Sequence, residues 1–220
     1  MAATEFVYGR RAVAEAQRGR RRVHKLWEAP GVSAAELEAL AGSPDHQGIV
    51  AEVDPYPYAD PTRLLVDPNA LVLALDEVQD PQNLGAACRV AGFAGLSGVV
   101  IPERRSASVT AAVCKASAGA VEHLQVARVR NLTDWLAEAR DGGGWIYGAD
   151  AQAPALAWQT DLTGRAVIVV GSEDRGLRPR VRDACDALVS LPGGGVIDSL
   201  NLATAASALV FEALRQRAEA

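Results

Sequence analysis

Cysteine is scarce in this sequence: Cys88, Cys114 and Cys185 are odd in number and far apart. They fit neither a zinc pattern nor a secreted disulfide framework, so reduced thiols in a cytoplasmic protein are expected. Histidine is equally sparse, and the scatter of His24, His46 and His123 argues against a metal site. No apolar run approaches the length of a membrane span, and MAATEFVYGRRAV has no apolar segment of the secretory kind. Familiar nucleotide signatures are missing too. The loop GSEDRGL (171–177) lacks the spacing and lysine of a Walker loop and the flanking residues of a nucleophile elbow. A glycine-rich dinucleotide fingerprint is also absent. The net charge of −5 conceals an asymmetry: residues 1–30 carry +4 and the remainder −9. A basic head can bind phosphates locally, although a solvated basic helix end would account for the same charges.

The 220 residues suffice for one full domain and a small module. In the head, 1–53, a helix is expected over Arg10–Arg18 and a strand over Val23–Trp27. Ala34–Ala41 reads as a helix whose Ser33 and Glu36 form a capping box, and GIVAEV (48–53) as a strand. With so few large apolar residues, the head alone would be marginally stable. Pro55, Pro57, Pro61 and Pro68 then crowd a segment, 54–69, that reads as a semi-rigid linker.

From residue 70 onward strands and helices alternate. LVLAL (71–75), GVVIP (98–102) and AVIVVG (166–171) are continuous apolar runs, as strands buried on both faces require. Helical stretches fall between the strands. The pattern predicts an α/β domain over 70–220, with a mostly parallel sheet and helices on both faces. Ligands in such sheets sit beyond the carboxyl ends of strands, which directs attention to loops 76–89, 171–178 and 191–201.

The chain closes on LPGGGVIDSLNLATAASALVFEAL (191–214). Its helix has two apolar stripes: Leu202, Ala206, Leu209, Val210 and Ala213 on one side, and Leu200, Ala203, Ser207, Phe211 and Leu214 on another. A helix with two such stripes must be covered twice, once by its own domain and once by a second subunit. Among polar residues, Asn83 is placed to cap the helix that follows it. Arg89, six residues on, would project from that helix's second turn, either to grip a phosphate or to form a surface ion pair. Glu173 is either a rim acid paired with an arginine or a functional carboxylate. Ser199 could cap the last helix, with Asn201 satisfying its first-turn N–H groups.

Together, LDEVQDPQNLGAACRVA (75–91), IVVGSEDRGL (168–177) and LPGGGVIDSLNLATAASALVFEALRQ (191–216) resemble the three motifs of the SpoU–TrmH family of RNA ribose 2′-O-methyltransferases. The match continues through KASAGAVEHL (115–124). VYGRRAV and HQGIVAEV are similar to the start and end of the small RNA-binding module of the bacterial 23S rRNA guanosine methyltransferases, with a shortened segment between them. The resemblance implies a deep trefoil knot in the C-terminal part of the sheet, S-adenosylmethionine as cofactor, and a homodimer. It assigns Gly171, Leu191 and Leu200 to the cofactor, largely through backbone, and Asn83, Arg89, Glu173, Ser199 and Asn201 to catalysis. The substrate it implies is RNA, with guanosine in 23S rRNA first. A tRNA ribose methyltransferase and a non-catalytic RNA-binding or assembly protein are the alternatives. The chain departs from the family pattern at Gly193, where Met is frequent, and at Leu202-Ala203, where Val-Ser is usual.

Overall fold

The computed structural model describes residues 4–173, 175–196 and 199–220, so Asp174, Ile197 and Asp198 of the quoted motifs lie outside the described residues. The head is a three-stranded antiparallel sheet in which β3 (Ile49–Val53) lies between β1 (Glu5–Tyr8) and β2 (Val23–Glu28). Helices α1 (Arg10–Arg18) and α2 (Ala34–Ala41) complete it. The capping box forms as expected: Ser33 Oγ accepts from Glu36 N at 3.3 Å, and the Glu36 carboxylate accepts from Ser33 N at 3.1 Å.

The larger sheet has six strands, and every pairing in it is parallel. Its members are β4 (Leu71–Leu75), β5 (Gly98–Pro102), β6 (Val126–Val129), β7 (Trp145–Ala149), β8 (Ala166–Val170) and β9 (Ala187–Val189). Their spatial order is β6-β5-β4-β8-β7-β9. Alternate side chains of β4 serve two cores. Leu71, Leu73 and Leu75 pack toward α3 (Pro81–Ala94), α4 (Ala111–Ala116) and α7 (Leu202–Glu219); Val72 and Ala74 pack toward α5 (Leu132–Asp141) and α6 (Pro179–Asp183). That two-sided burial explains why the strand reads as an unbroken apolar run. Helices α3 and α4 approach so closely that a Cβ on Gly85 would lie 2.4 Å from the Ala116 methyl carbon.

Two helix starts differ from expectation. α3 begins at Pro81, capped by Asp80, whose carboxylate accepts from Gln82 N at 2.9 Å. Proline fits the first helical position because its missing N–H would find no partner there. Asn83 is therefore the third residue of the helix and not its cap. At α7 the cap is Asn201, not Ser199: Asn201 Oδ1 accepts from Ala203 N at 2.9 Å and Thr204 N at 3.3 Å.

The head shares its core with the larger sheet, since Val7, Val13 and Ala51 belong to the same buried cluster as Leu73 and Val113. Between them lies a buried ion pair. Arg21 Nε donates to Glu122 Oε2 at 2.9 Å, and Arg21 Nη2 pairs with Glu122 Oε1. Both side chains are buried, and the Tyr56 ring lies 5.5 Å from the guanidinium. Burial opposes the charge on Arg21, but the hydrogen bonds and field of Glu122 outweigh it and hold the pKa above the usual arginine value. The proline-rich segment is packed rather than free. Tyr56 is buried with its hydroxyl on Val121 O and Leu124 O, and Ala59 N donates to Val126 O at 2.8 Å.

The first apolar stripe of α7 is buried throughout. The second is not: Leu200 is 50% exposed and Phe211 45%, and Phe211 lies 6.1 Å from the ring of Phe93, itself 82% exposed on α3. No helix among the described residues is long and apolar enough to cross a membrane.

Candidate active site

The loops after β4, β8 and β9 converge at the carboxyl edge of the large sheet. Because α3 starts at Pro81, Asn83 faces the loop that follows β8. Asn83 Nδ2 donates to Glu173 Oε1 at 3.1 Å. Asn201 Nδ2 donates to Asn83 Oδ1 at 2.9 Å and also to Glu173 Oε1. The backbone N–H of Leu202 donates to the same carboxylate oxygen at 3.3 Å. One oxygen of Glu173 thus gathers three donors at the N-terminus of α7, where the helix dipole favours negative charge. Both hydrogens of the Asn201 amide are used, while its oxygen caps the helix. These three residues form a fixed polar cluster.

Beside it lies a cavity of about 390 Å³. Gly171, Leu191, Ser199 and Leu200 all line it, as do Ala149, Val170, Leu177, Val189 and Leu209. Its wall is mainly apolar, with Asp150 and Arg182 ion-paired at the rim. Gly171 is required by the backbone, since a Cβ there would lie 2.1 Å from the carbonyl carbon of Gly176. Ser172 and Gly176 exchange backbone hydrogen bonds of 3.1 and 2.8 Å, which folds the loop back on itself. A mainly apolar hollow of this size with a few polar groups suits a small organic ligand. A second hollow of about 330 Å³ is lined by Glu77, Gln79, Asp80 and Asn83, and it shares Ser172, Glu173, Arg175 and Leu202 with the first. Two reactants placed in the two hollows would meet at the polar cluster, which is how a binding site turns encounter into alignment.

Seven of the eight expected site residues are therefore brought to one place. Arg89 is not. Six residues beyond Asn83, it is rotated by about 240° around α3, and it stands on the third helical turn, not the second. It is exposed and lines a separate groove with Phe93, Arg11 and His123. Its neighbour Cys88 is inert, because burial pushes the thiol up to about 12. The sequence reading missed the loop 149–151 and the cavity wall formed by Leu177, Val189 and Leu209. The carboxyl end of WIYGA was a usable signal for the loop, since ligands gather at such strand ends. Among the described residues, no group of three or more His, Cys, Asp or Glu side chains could hold a metal ion.

Comparison with known proteins gives a consistent result. The profile of the SpoU rRNA Methylase family matches residues 70–211. An uncharacterized tRNA/rRNA methyltransferase of Mycolicibacterium vanbaalenii is 46% identical over 191 residues, spanning 84% of this chain and 60% of that protein. The chain thus covers less than two thirds of that relative's length. Among solved structures, the SpoU methyltransferase AviRb from Streptomyces viridochromogenes, in complex with AdoMet, is 28% identical with a TM-score of 0.82, over 99% of this chain and 92% of the other. An RNA 2′-O ribose methyltransferase is 25% identical with a TM-score of 0.82, over 97% and 88%.

Proposed function

This chain belongs to the SpoU rRNA methylase family, and from that premise we propose that it transfers a methyl group from S-adenosylmethionine to a ribose 2′-hydroxyl of RNA, most specifically a guanosine of 23S rRNA. The observation that carries the reading is the polar cluster at the boundary of the two hollows: Glu173 lines both, Asn83 lines the second, and Asn201 is bonded to each of them. The mainly apolar cavity fits the cofactor, because Gly171 lets its loop fold tightly back on Gly176 at the cavity wall and Leu191 and Leu200 offer apolar surface. When bound, the cofactor supplies an electrophilic methyl group on sulfur.

The remaining work belongs to the chain's own residues. The second hollow takes the target nucleotide, with Ser199 and Asn83 orienting its ribose. Glu173 serves as anchor, its Oε1 holding three donors that fix it against Asn83, Asn201 and the start of α7. As the hydroxyl oxygen attacks, its proton leaves through water or an RNA phosphate. The alkoxide character that develops needs a positive charge, and a guanidinium gives a permanent one.

Arg89 has that charge but faces away from its own chain's cluster. It shares a helical face with Phe93, four residues on, and Phe93 packs with Phe211 of the uncovered stripe. A second copy covering this face forms a homodimer, and the partner subunit's Arg89 is then presented to the cluster. The trefoil knot implied by the three motifs belongs to the same reading. The head, with its similarity to the module of rRNA enzymes, favours rRNA over tRNA.

The test is incubation with methyl-labelled S-adenosylmethionine and either rRNA or tRNA, followed by nucleoside analysis. Labelled 2′-O-methylguanosine from 23S rRNA is expected. Label in tRNA alone would select the tRNA alternative, label on a base would overturn ribose transfer, and no label would favour the non-catalytic assembly protein.

A further inference from the structure

The donor cavity sits at the ends of β7, β8 and β9, and the polar hollow at the ends of β4 and β8. A third groove continues the row at the ends of β5 and β6, lined by Pro102, Arg104, Arg105, Arg130 and Arg178. The three therefore stand along one edge of the sheet in the spatial order of its strands. We infer that the arginine groove at the ends of β5 and β6 holds the phosphodiester backbone of RNA flanking the nucleotide to be methylated. This rests on the RNA methyltransferase reading and adds a binding surface to it.

Charge is the first support. Residues 103–130 carry +3 in a body that is otherwise acidic. Arg178 is committed to structure, bonding the buried Asp76 carboxylate through Nε at 2.8 Å. Arg105 is 73% exposed, and its one ion pair among the described residues, to Glu77, is long at 3.4 Å. Arg104 and Arg130 are exposed and have no carboxylate at ion-pair distance among the described residues. Three guanidinium groups thus face solvent with little to neutralise them, which suits a polyanion.

Continuity with the reactive hollow is the second support. Glu77 lines the polar hollow, and Arg105 and Arg178, which line the groove, both lie against its carboxylate. The loop carrying Arg105 is tied to the loop after β4: Ala107 N donates to Val78 O at 2.7 Å and Ser106 Oγ to the same oxygen at 3.2 Å. Glu77 and Arg105 both adopt left-handed backbone, with φ of 61° and 60°. Such conformations are costly for residues with side chains and persist where surrounding contacts enforce them, commonly at binding sites. The groove is therefore held in fixed register with the hollow. Neighbouring strands are about 4.8 Å apart, so β6 lies about 10 Å from β4, within reach of a flanking phosphate.

The test compares the full-length protein with Arg104→Ala/Arg105→Ala/Arg130→Ala, using purified rRNA across a salt series, with S-adenosylmethionine affinity as the check on folding. The variant is expected to bind rRNA at least about tenfold more weakly at roughly 100 mM salt, with the slope of log K against log salt shallower by about 2. Cofactor affinity should be unchanged. The corresponding triple Lys variant should recover most of the RNA affinity, because a phosphate contact needs charge. Unchanged RNA affinity and slope in the alanine variant, with wild-type methyl transfer intact, would overturn the groove and leave the enzymatic reading standing. A wild-type protein that neither binds nor methylates rRNA would overturn that reading and the groove together. Should the triple variant lose cofactor binding, Arg104→Ala and Arg130→Ala are read singly. Each is expected to reduce the slope by about 0.7, and no change in either overturns the inference. Lysine variants as weak as the alanine ones would also overturn it.

Discussion

The head and the body carry their positive charge in opposite ways. The first thirty residues, in the head, are the more basic by composition, yet several of their arginines are occupied. Arg10 bonds the Gln47 carbonyl, Arg18 pairs with Glu15, Arg20 bonds the Leu124 carbonyl at 2.6 Å, and Arg21 is buried on Glu122. The body is acidic overall, yet it presents Arg89, Arg104, Arg105 and Arg130 at its surface. Formal charge per segment therefore overstates what the head presents. Among the described residues its Arg18 and Arg21 are ion-paired and Arg10 and Arg20 are held on backbone carbonyls, which leaves Arg11, Arg22 and Lys25 exposed there, whereas the exposed arginines of the body include a group at the carboxyl edge of its sheet.

Arg89 gives the sharpest test, because its groove is bordered by the head's Arg11 and Glu15 while its own charge belongs to the body. Arg89→Ala is expected to reduce methyl transfer by about 10²- to 10³-fold or more, as loss of a transition-state charge partner does, with cofactor affinity by calorimetry unchanged. Equal loss of both would contradict the assigned role. Arg89→Lys should fail as well if the planar fork matters. The next largest effect lies at the seam. Glu122→Ala leaves the buried Arg21 with only the partly exposed Glu5, at 3.1 Å, as an ion partner and should cost about 3 kcal/mol in urea unfolding. Arg21→Met/Glu122→Leu should lie much nearer wild type, and a cost for Glu122→Ala below about 1 kcal/mol would mean that the pair does not hold head to body.

Phe211→Glu places a charge on the uncovered stripe and should shift sedimentation from dimer to monomer while the far-ultraviolet spectrum stays folded. A variant that remains dimeric would locate the interface elsewhere. Glu173→Gln should lower the rate by about tenfold or less, because an amide oxygen still accepts the bonds from Asn83, Asn201 and Leu202. A loss matching that of Arg89→Ala would make Glu173 the base. Smallest of all is Arg22→Ala on the head, expected to weaken rRNA binding by about two- to threefold with a slope change of about 0.7. A larger effect would return the RNA surface to the head.

Much of the fold was legible in the sequence because burial on both faces leaves a continuous apolar run, as LVLAL and AVIVVG show. The Ser33 capping box was legible for the same kind of reason, being a local bond between near neighbours. The strand order was not, since it is set by long-range pairing that no periodicity encodes. Asn83 was mistaken for a cap because asparagine is a good one, although Asp80-Pro81 fits the helix start better, with proline at the first position. Counting from the wrong start also put Arg89 on the wrong turn. Seven of the eight site residues fell at the expected edge because strand ends collect ligands. The rotation that turns Arg89 away from Asn83 follows from their six-residue spacing on one helix; what the sequence leaves out is the neighbouring face that the single chain leaves open.

Asn201 has a consequence of its own. A single side chain starts α7 through its oxygen and ties Asn83 to Glu173 through its nitrogen. The helix bearing the uncovered stripe is thus tied to the polar cluster by one residue. If a second copy covers that helix and the proposed methyl transfer holds, the reaction becomes sensitive to dilution: specific activity falls once the protein concentration drops below the dissociation constant of the pair.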